Sequence, residues 1–218
     1  MKKYQKIETL FKRDEKTHKL IIGNFRNETV EYLKECEWEF TEKVDGTNIR
    51  IYWNGHNVEF AGRTDNAQIP PHLLKYLNDK FGGEINEQMF EQKFGVTEVI
   101  LYGEGYGTKI QKGGAYRDDV AFILFDVEIT DMFLKRDGLE DIAQYFNVEV
   151  VPVVLCTTLE KGLDYVLNNT WSFVSKLNPA NKDRAKIEGL VGKPRCEMYD
   201  RRGNRIIVKI KRKDFLEK

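Results

Sequence analysis

Reactive side chains concentrate in the stretch Glu42-Lys43-Val44-Asp45-Gly46-Thr47-Asn48. A lysine is followed two residues on by a carboxylate and then by Gly-Thr-Asn. A lysine held by rigid strands beside carboxylates is a candidate covalent nucleophile. It attacks only as the neutral amine, and the ordinary lysine pKa of about 10.4 keeps it protonated near neutral pH. Cationic neighbours, a metal or desolvation are needed to change that. Cations stand far downstream, where Ile206, Val208 and Ile210 take one face of an alternating run and Lys209 and Lys211 take the other. Taken alone, such a run is an amphipathic edge strand with solvated lysines.

Other residues of chemical interest follow in order. Arg63 lies just past a short apolar run, in Ala61-Gly62-Arg63-Thr64. Glu104 follows Val99-Ile100-Leu101-Tyr102, inside Gly103-Glu104-Gly105-Tyr106-Gly107. A carboxylate there can accept hydrogen bonds from two hydroxyls, and the glycines read as a loop that needs turning. The cluster is not a phosphate loop, because neither G-x-x-x-x-G-K-[ST] nor G-x-G-x-x-G is present. Alternation along Phe122-Ile123-Leu124-Phe125-Asp126-Val127 puts Phe125 on an apolar face with Ile123 and Val127. Glu188-Gly189-Leu190-Val191 reads as a turn opening a strand, with Lys193 and Pro194 beyond it. A basic tail runs over 201–213 and includes Arg201 and Arg202. His18, His56 and His72 are scattered and show no ligand spacing.

The elements that must position these residues are legible in outline. Trp38-Glu39-Phe40-Thr41 alternates like a strand, and so does the exit, with Ile49, Ile51 and Trp53 on one face and Asn48, Arg50 and Tyr52 on the other. Lys43 and Asn48 differ in parity, so an unbroken strand would set them on opposite faces. Asp45-Gly46 supplies the break that lets both reach one pocket. A hairpin turns at Asn54-Gly55, with 58–61 as its return strand. Pro70-Pro71 opens a helix over 72–81 that Gly82-Gly83 ends, and a second helix over 85–94 stops at Gly95. Strands are expected over 7–11, 96–102, 120–129, 148–155, 188–191 and 205–211, and helices over 28–34, 139–146 and 159–167. With no regular βαβ period, the pattern predicts an α+β fold with mainly antiparallel sheets.

The chain has 218 residues, 41% hydrophobic and 32% charged, which suits one domain over 1–218 with a substantial core. Lysine plus arginine equals aspartate plus glutamate at 35 each. Net charge therefore announces no nucleic-acid partner, and any basic footprint must be local. Cys36, Cys156 and Cys196 form no CxxC pair, which fits a reducing compartment. No signal peptide and no membrane-spanning run is seen, so a cytoplasmic protein is expected.

Lys43-Val44-Asp45-Gly46 resembles the K-x-D-G nucleophile motif of the covalent nucleotidyltransferases, the superfamily of ATP-dependent DNA and RNA ligases and mRNA capping enzymes. DNA ligases and capping enzymes usually carry arginine two residues after that glycine. Asn48, within Glu-Lys-x-x-Gly-Thr-Asn, is more like the RNA ligases. The remaining motifs follow in family order over nearly the whole chain: Lys43, Arg63, Glu104, Phe125, Glu188, then Lys209 with Lys211. The resemblance implies a nucleotidyltransferase fold, an ATP-grasp-like ligase catalytic domain with two antiparallel sheets around a nucleotide cleft. It also implies roles. Lys43 attacks the ATP α-phosphate; Glu42, Arg63, Glu104, Phe125, Lys209 and Lys211 bind the nucleotide, with Glu104 at the ribose hydroxyls and Phe125 on the base. Glu188, Asn48 and Asp45 support Mg2+ or Mn2+, directly or through water. Arg63 is assigned to phosphate or strand ends; Arg201 and Arg202 match no nucleotide motif, and their assignment to nucleic acid rests on the basic tail alone.

The function so implied is an ATP-dependent RNA ligase joining 5′-phosphate and 3′-hydroxyl ends through lysyl-AMP. Its partners would be ATP and RNA, the RNA alone or in an RNA/DNA hybrid or nicked duplex, with no membrane and no obligate protein partner evident. The chain ends soon after the final lysine motif, so no appended oligonucleotide-binding domain is expected. Alternatives are a DNA nick ligase, a GTP-dependent capping enzyme, or an inactive module that binds nucleic-acid ends.

Overall fold

The structure, a computed structural model, describes residues 1–111, 115–177 and 185–216. In chain order it opens with β1 (Glu8–Thr9), β2 (Phe11–Arg13), β3 (Leu20–Phe25), α1 (Glu28–Tyr32), β4 (Trp38–Lys43), β5 (Thr47–Trp53) and β6 (Val58–Ala61). Next come α2 (Pro71–Phe81), α3 (Glu84–Phe94), β7 (Val99–Gly107), β8 (Val120–Ile129), β9 (Met132–Phe133), α4 (Arg136–Phe146) and β10 (Glu149–Val150). The chain then forms β11 (Val153–Thr157), α5 (Leu159–Asn168), α6 (Phe173–Leu177), β12 (Gly189–Pro194), β13 (Val208–Lys211) and α7 (Lys213–Leu216). Two compact units result. The first comprises Met1–Tyr4 with Asp45–Val151, the second Gln5–Val44 with Pro152–Lys218. The fold is α+β, and most strand pairs are antiparallel. Among the described residues no helix is long and apolar enough to cross a membrane.

The first unit is built on a six-stranded sheet ordered β10-β8-β7-β5-β6, with β9 paired to β8. One face carries Ile49, Ile51 and Trp53 of β5, Leu101 of β7 and Leu124 of β8. Helices cover that face. In α2, Leu73, Leu77 and Phe81 recur at helical spacing and are fully buried. Its proline occupies the first turn, where the missing N–H costs no hydrogen bond. In α4, Leu139, Ile142, Ala143 and Phe146 do the same, and Asn147 closes the helix in the left-handed conformation. Each such side chain contributes about 1.5–3 kcal/mol by leaving water.

The glycine-rich segment differs from the expected loop: it is the second half of β7, and Glu104 lies inside the strand. The glycines serve close packing there. A Cβ on Gly103 would stand 2.2 Å from Cζ of Phe122, and one on Gly105 would stand 2.5 Å from Cδ2 of Leu73. The expected alternation along β8 also fails at one point. Tyr102 pairs with Asp126 but Gly103 pairs with Leu124, so a bulge falls at Phe125. The bulge reverses parity, setting Phe125 apart from Val127, which stays on the core face with Leu124. The strand expected over 148–155 is two strands of different sheets, β10 and β11, parted at Pro152, where a ladder N–H is missing.

The other face of the first sheet holds a buried cation that local pattern did not reveal. Arg50 is fully buried. Its Nε donates to the Gly62 carbonyl at 2.8 Å, one terminal nitrogen to the carbonyls of Met1 and Lys2 at 3.0 and 3.3 Å, and the other to Asp65 at 2.8 Å. Beside it Tyr4 donates to Asp126 at 2.6 Å and Tyr102 to Glu128 at 2.8 Å. Burial and the Glu128 carboxylate push the Tyr102 phenol well above its ordinary range. Arg50→Met would strip three carbonyls of their donor. It is expected to cost about 2–4 kcal/mol, read as a lower urea midpoint at unchanged m-value; a loss under about 1 kcal/mol would show that the clasp is dispensable.

The second unit is built on a five-stranded sheet ordered β1-β13-β12-β4-β11, beside the separate β2–β3 pair. Trp38 and Phe40 of β4, Leu190 of β12 and Val208 and Ile210 of β13 form its core with Leu159 and Val166 of α5. β13, expected as a short strand over 205–211, is shorter still and lies between β1 and β12, so it is not an edge strand. β4 and β5 belong to different sheets. The Asp45-Gly46 break is therefore a change of sheet, not a hairpin turn.

Candidate active site

In the second unit, β12 runs between β4 and β13, and Gly189 is the register partner of both Lys43 and Lys211. The two lysines thus flank a residue with no side chain, on one face of the sheet. A Cβ on Gly189 would stand 2.0 Å from the Ile210 carbonyl oxygen, so only glycine allows this approach. The preceding residue, Glu188, joins the two lysines: Lys43 Nζ donates to Oε2 at 2.8 Å and Lys211 Nζ to Oε1 at 2.9 Å. The Arg212 N–H holds the Glu188 carbonyl at 2.8 Å. One row along, Lys209 pairs with Val191 and Val191 with Thr41, so Lys209 shares that face. Lys43, Glu188 and Lys211 keep side-chain exposures of 24%, 15% and 22%, which leaves them reachable yet poorly screened.

Glu42 is not on this face. Its register partner is Leu190, whose own partner is Ile210, both core residues. Glu42 is 2% exposed and accepts the Val174 N–H at 2.9 Å. Arg201 and Arg202 are exposed and lie in a turn between β12 and β13.

In the first unit, Asn48 of β5, Glu104 of β7 and Ile123 of β8 are successive register partners, so they form one row across the sheet. Glu104 is half-buried. Gly46 packs against it: a Cβ there would stand 2.4 Å from the Gly105 carbonyl oxygen and 2.8 Å from Cγ of Glu104. Asp45 donates its N–H to the Tyr116 hydroxyl at 3.2 Å. The structure thus gathers Asp45, Gly46, Asn48 and Glu104. Phe125 is half-buried at the bulge, its ring edge-on to Tyr4 at 5.1 Å. Arg63 is exposed at a bend just past β6, next to Gly62, where a Cβ would stand 3.7 Å from the Asn48 carbonyl oxygen. Arg50 and Tyr116 were missed from sequence. Arg50 had one available signal, its place between two core isoleucines; Tyr116 had none.

Among the described residues no group of three or more His, Cys, Asp or Glu side chains is gathered to hold a metal. The donor set fits a hard cation that takes one or two carboxylates and completes its shell with substrate phosphates and water, as magnesium does.

The family profile described as RNA ligase matches residues 36–211. A search of curated proteins found no match. Among solved structures, Naegleria gruberi RNA ligase with PPi is similar at a TM-score of 0.61 and 21% identity, over 87% of this chain and 53% of that one. A variant of that ligase with AMP and Mn gives 0.60 and 19%, over 84% and 52%. A variant with ATP and Mn gives 0.59 and 20%, over 84% and 51%. The chain spans about half the length of these proteins, and at such identities they speak for the fold. The profile covers the candidate residues of both units, from before Lys43 to Lys211: the chain belongs to the RNA ligase family.

Proposed function

We propose that this chain carries out ATP-dependent joining of RNA 5′-phosphate and 3′-hydroxyl ends through a lysyl-AMP intermediate. The observation that carries the reading is the Glu188 carboxylate shared by Lys43 and Lys211, with Lys209 on the same face. Lys43 Nζ loses a proton and forms a bond to the ATP α-phosphorus, and pyrophosphate leaves with the electrons of the broken P–O bond. An RNA 5′-phosphate oxygen next displaces Lys43 from the adenylate. A 3′-hydroxyl finally attacks that 5′-phosphorus and expels AMP. The sharing of Glu188 sets the first requirement: Lys43 Nζ must give up a proton, leaving the amine lone pair, and come free of the Glu188 carboxylate before it can attack. Lys211 and Lys209 are assigned to the substrate phosphates as fixed charges in poorly screened positions. Glu104 is assigned to the ribose hydroxyls, Phe125 to the base, and Arg63 to phosphate or strand ends. Glu42 is assigned to the nucleotide only through the strand it anchors. We assign Glu188, Asn48 and Asp45 to the metal, Mg2+ or Mn2+. When bound it would neutralise phosphate charge during transfer.

The test is incubation with α-labelled ATP or GTP. Label from ATP on Lys43, followed by joining of RNA ends, is expected. Label from GTP would point to a capping enzyme, and no label to an end-binding module. Substrate preference is read by changing the terminal 3′ ribonucleotides to deoxyribonucleotides, which should slow joining, because the 2′-hydroxyl distinguishes RNA from DNA. Equal rates on all-DNA nicks would promote the DNA-ligase alternative.

A further inference from the structure

Between β12 and β13 the chain makes a small hairpin whose tip is unusual in what it leaves outward. Tyr199 and Arg205 form an isolated antiparallel bridge. Asp200 N–H bonds to the Asn204 carbonyl at 2.8 Å, Gly203 N–H returns to the Asp200 carbonyl at 3.0 Å, and Gly203 takes φ +77°. That is a three-residue loop closed by a left-handed glycine, a rigid connection. The base of the hairpin is clasped on both sides of Arg205. Gln5 donates to the Arg205 carbonyl at 2.7 Å and accepts its N–H at 3.0 Å.

The charges divide unevenly across this tip. The Asp200 carboxylate is turned inward on the loop, accepting the N–H groups of Arg202 and Asn204 at 2.8 and 2.9 Å and the Asn204 side chain at 3.0 Å. These hydrogen bonds, from the Asn204 side chain first, hold its carboxyl below the usual range. Arg205 is buried and ion-paired with Glu197. Arg201 and Arg202 are exposed, and neither forms a salt bridge among the described residues, although the Arg202 charge helps to hold the Asp200 carboxyl low. Tyr199, 53% exposed, stands beside them. A rigid tip with two outward guanidinium groups and one exposed aromatic ring matches single-stranded nucleic acid. Arginine takes phosphates, and a ring face takes a base of any identity.

We propose that the 199–205 tip is a contact surface for single-stranded RNA, with Arg201 and Arg202 on two phosphates and Tyr199 stacked on one base. The choice of RNA as the polymer rests on the RNA-ligase reading above. Folded duplex suits the tip poorly, since its bases are already stacked on one another.

Fluorescence anisotropy with a short fluorescein-labelled oligouridylate, its 3′ end blocked and no ATP present, tests the surface. Each phosphate contact on a single strand contributes about 0.7 to the slope of log affinity against log salt. Replacing both Arg201→Gln and Arg202→Gln should therefore lower the slope by about 1.4. Tyr199→Ala should weaken binding roughly tenfold at unchanged slope, and Tyr199→Trp should restore it. Circular dichroism and thermal midpoints confirm that each variant is folded; all three positions are exposed, and Tyr199→Phe serves as the conservative control. Unchanged affinity and slope in both sets of variants would overturn the proposal. So would a duplex of equal length competing as well as the single strand. Because the mixture has neither ATP nor a joinable end, a protein that binds through the tip but joins nothing overturns the ligase reading alone.

Discussion

Lys43→Ala protein, incubated with labelled ATP and a divalent cation, remains unlabelled. The expected loss of adduct formation is at least about a thousandfold, because the assigned nucleophilic nitrogen is gone and Lys209 and Lys211 are assigned to the substrate phosphates. The structure predicts that this variant folds. β4 keeps both neighbours, β12 and β11, and Lys211 keeps its 2.9 Å bond to Glu188. The lost ion pair is partly exposed, so the stability change should stay within about 1 kcal/mol. Intact mass and peptide mapping read the adduct; a melting curve reads the fold. A folded Lys43→Ala protein that still carries AMP would remove the nucleophile from its assigned place, and Lys209 and Lys211 would be the next lysines to map.

The second large effect is expected at Glu188. In Glu188→Ala two ammonium groups face each other across Gly189 with no carboxylate between them. Their repulsion should splay Lys43 and Lys211 from the positions that Oε2 and Oε1 now set at 2.8 and 2.9 Å. Loss of one preorganised charge at a phosphoryl-transfer site typically costs about 10²–10³ in rate. That range is expected for adduct formation, with a stability cost of roughly 1–3 kcal/mol from the two charge-assisted hydrogen bonds. Glu188→Gln separates the two contributions. It keeps the shape and one acceptor, so stability should largely return while the rate does not. Recovery of both in Glu188→Gln would mean that Glu188 only positions the lysines and carries no charge-dependent part of the reaction.

These two expectations come from residues whose motifs were visible in the sequence. Lys43, Glu188, Lys209 and Lys211 sit in or beside short strands of alternating character, and a period of two places side chains on a face reliably. The structure sets the three lysines on one face of one sheet. The helices α2 and α4 were also legible, since proline, glycine and apolar spacing mark them locally. What was not legible depends on distant neighbours. Gly103 and Gly105 looked like turn residues because nothing nearby announces Phe122 and Leu73 pressing on them. Phe125 was grouped with Val127, from which the bulge parts it, because a bulge is defined by the partner strand. Arg50 was placed only on a face with Asn48 and Tyr52, and its acceptors include Met1 and Lys2, forty-eight and more residues away. Glu42, next to Lys43 in sequence, is carried to the opposite face by the same alternation that was used to place Lys43.

The order in which the second unit's strands are made has a consequence for the newly synthesised chain. Lys43 and Glu188 are 145 residues apart, which a ribosome covers in roughly 7–30 s at about 5–20 residues per second. During that interval the first unit's long segment, Asp45–Val151, has already emerged. β4 has not yet met either neighbour, because β11 and β12 both come later. Trp38 and Phe40 wait in water and both strand edges are open, the condition under which nascent chains engage chaperones or one another. The lysine meanwhile has no carboxylate and no companion cations. On the proposed reading the site is complete only when translation has passed Lys211, and a chain released early carries Lys43 on an unpaired strand.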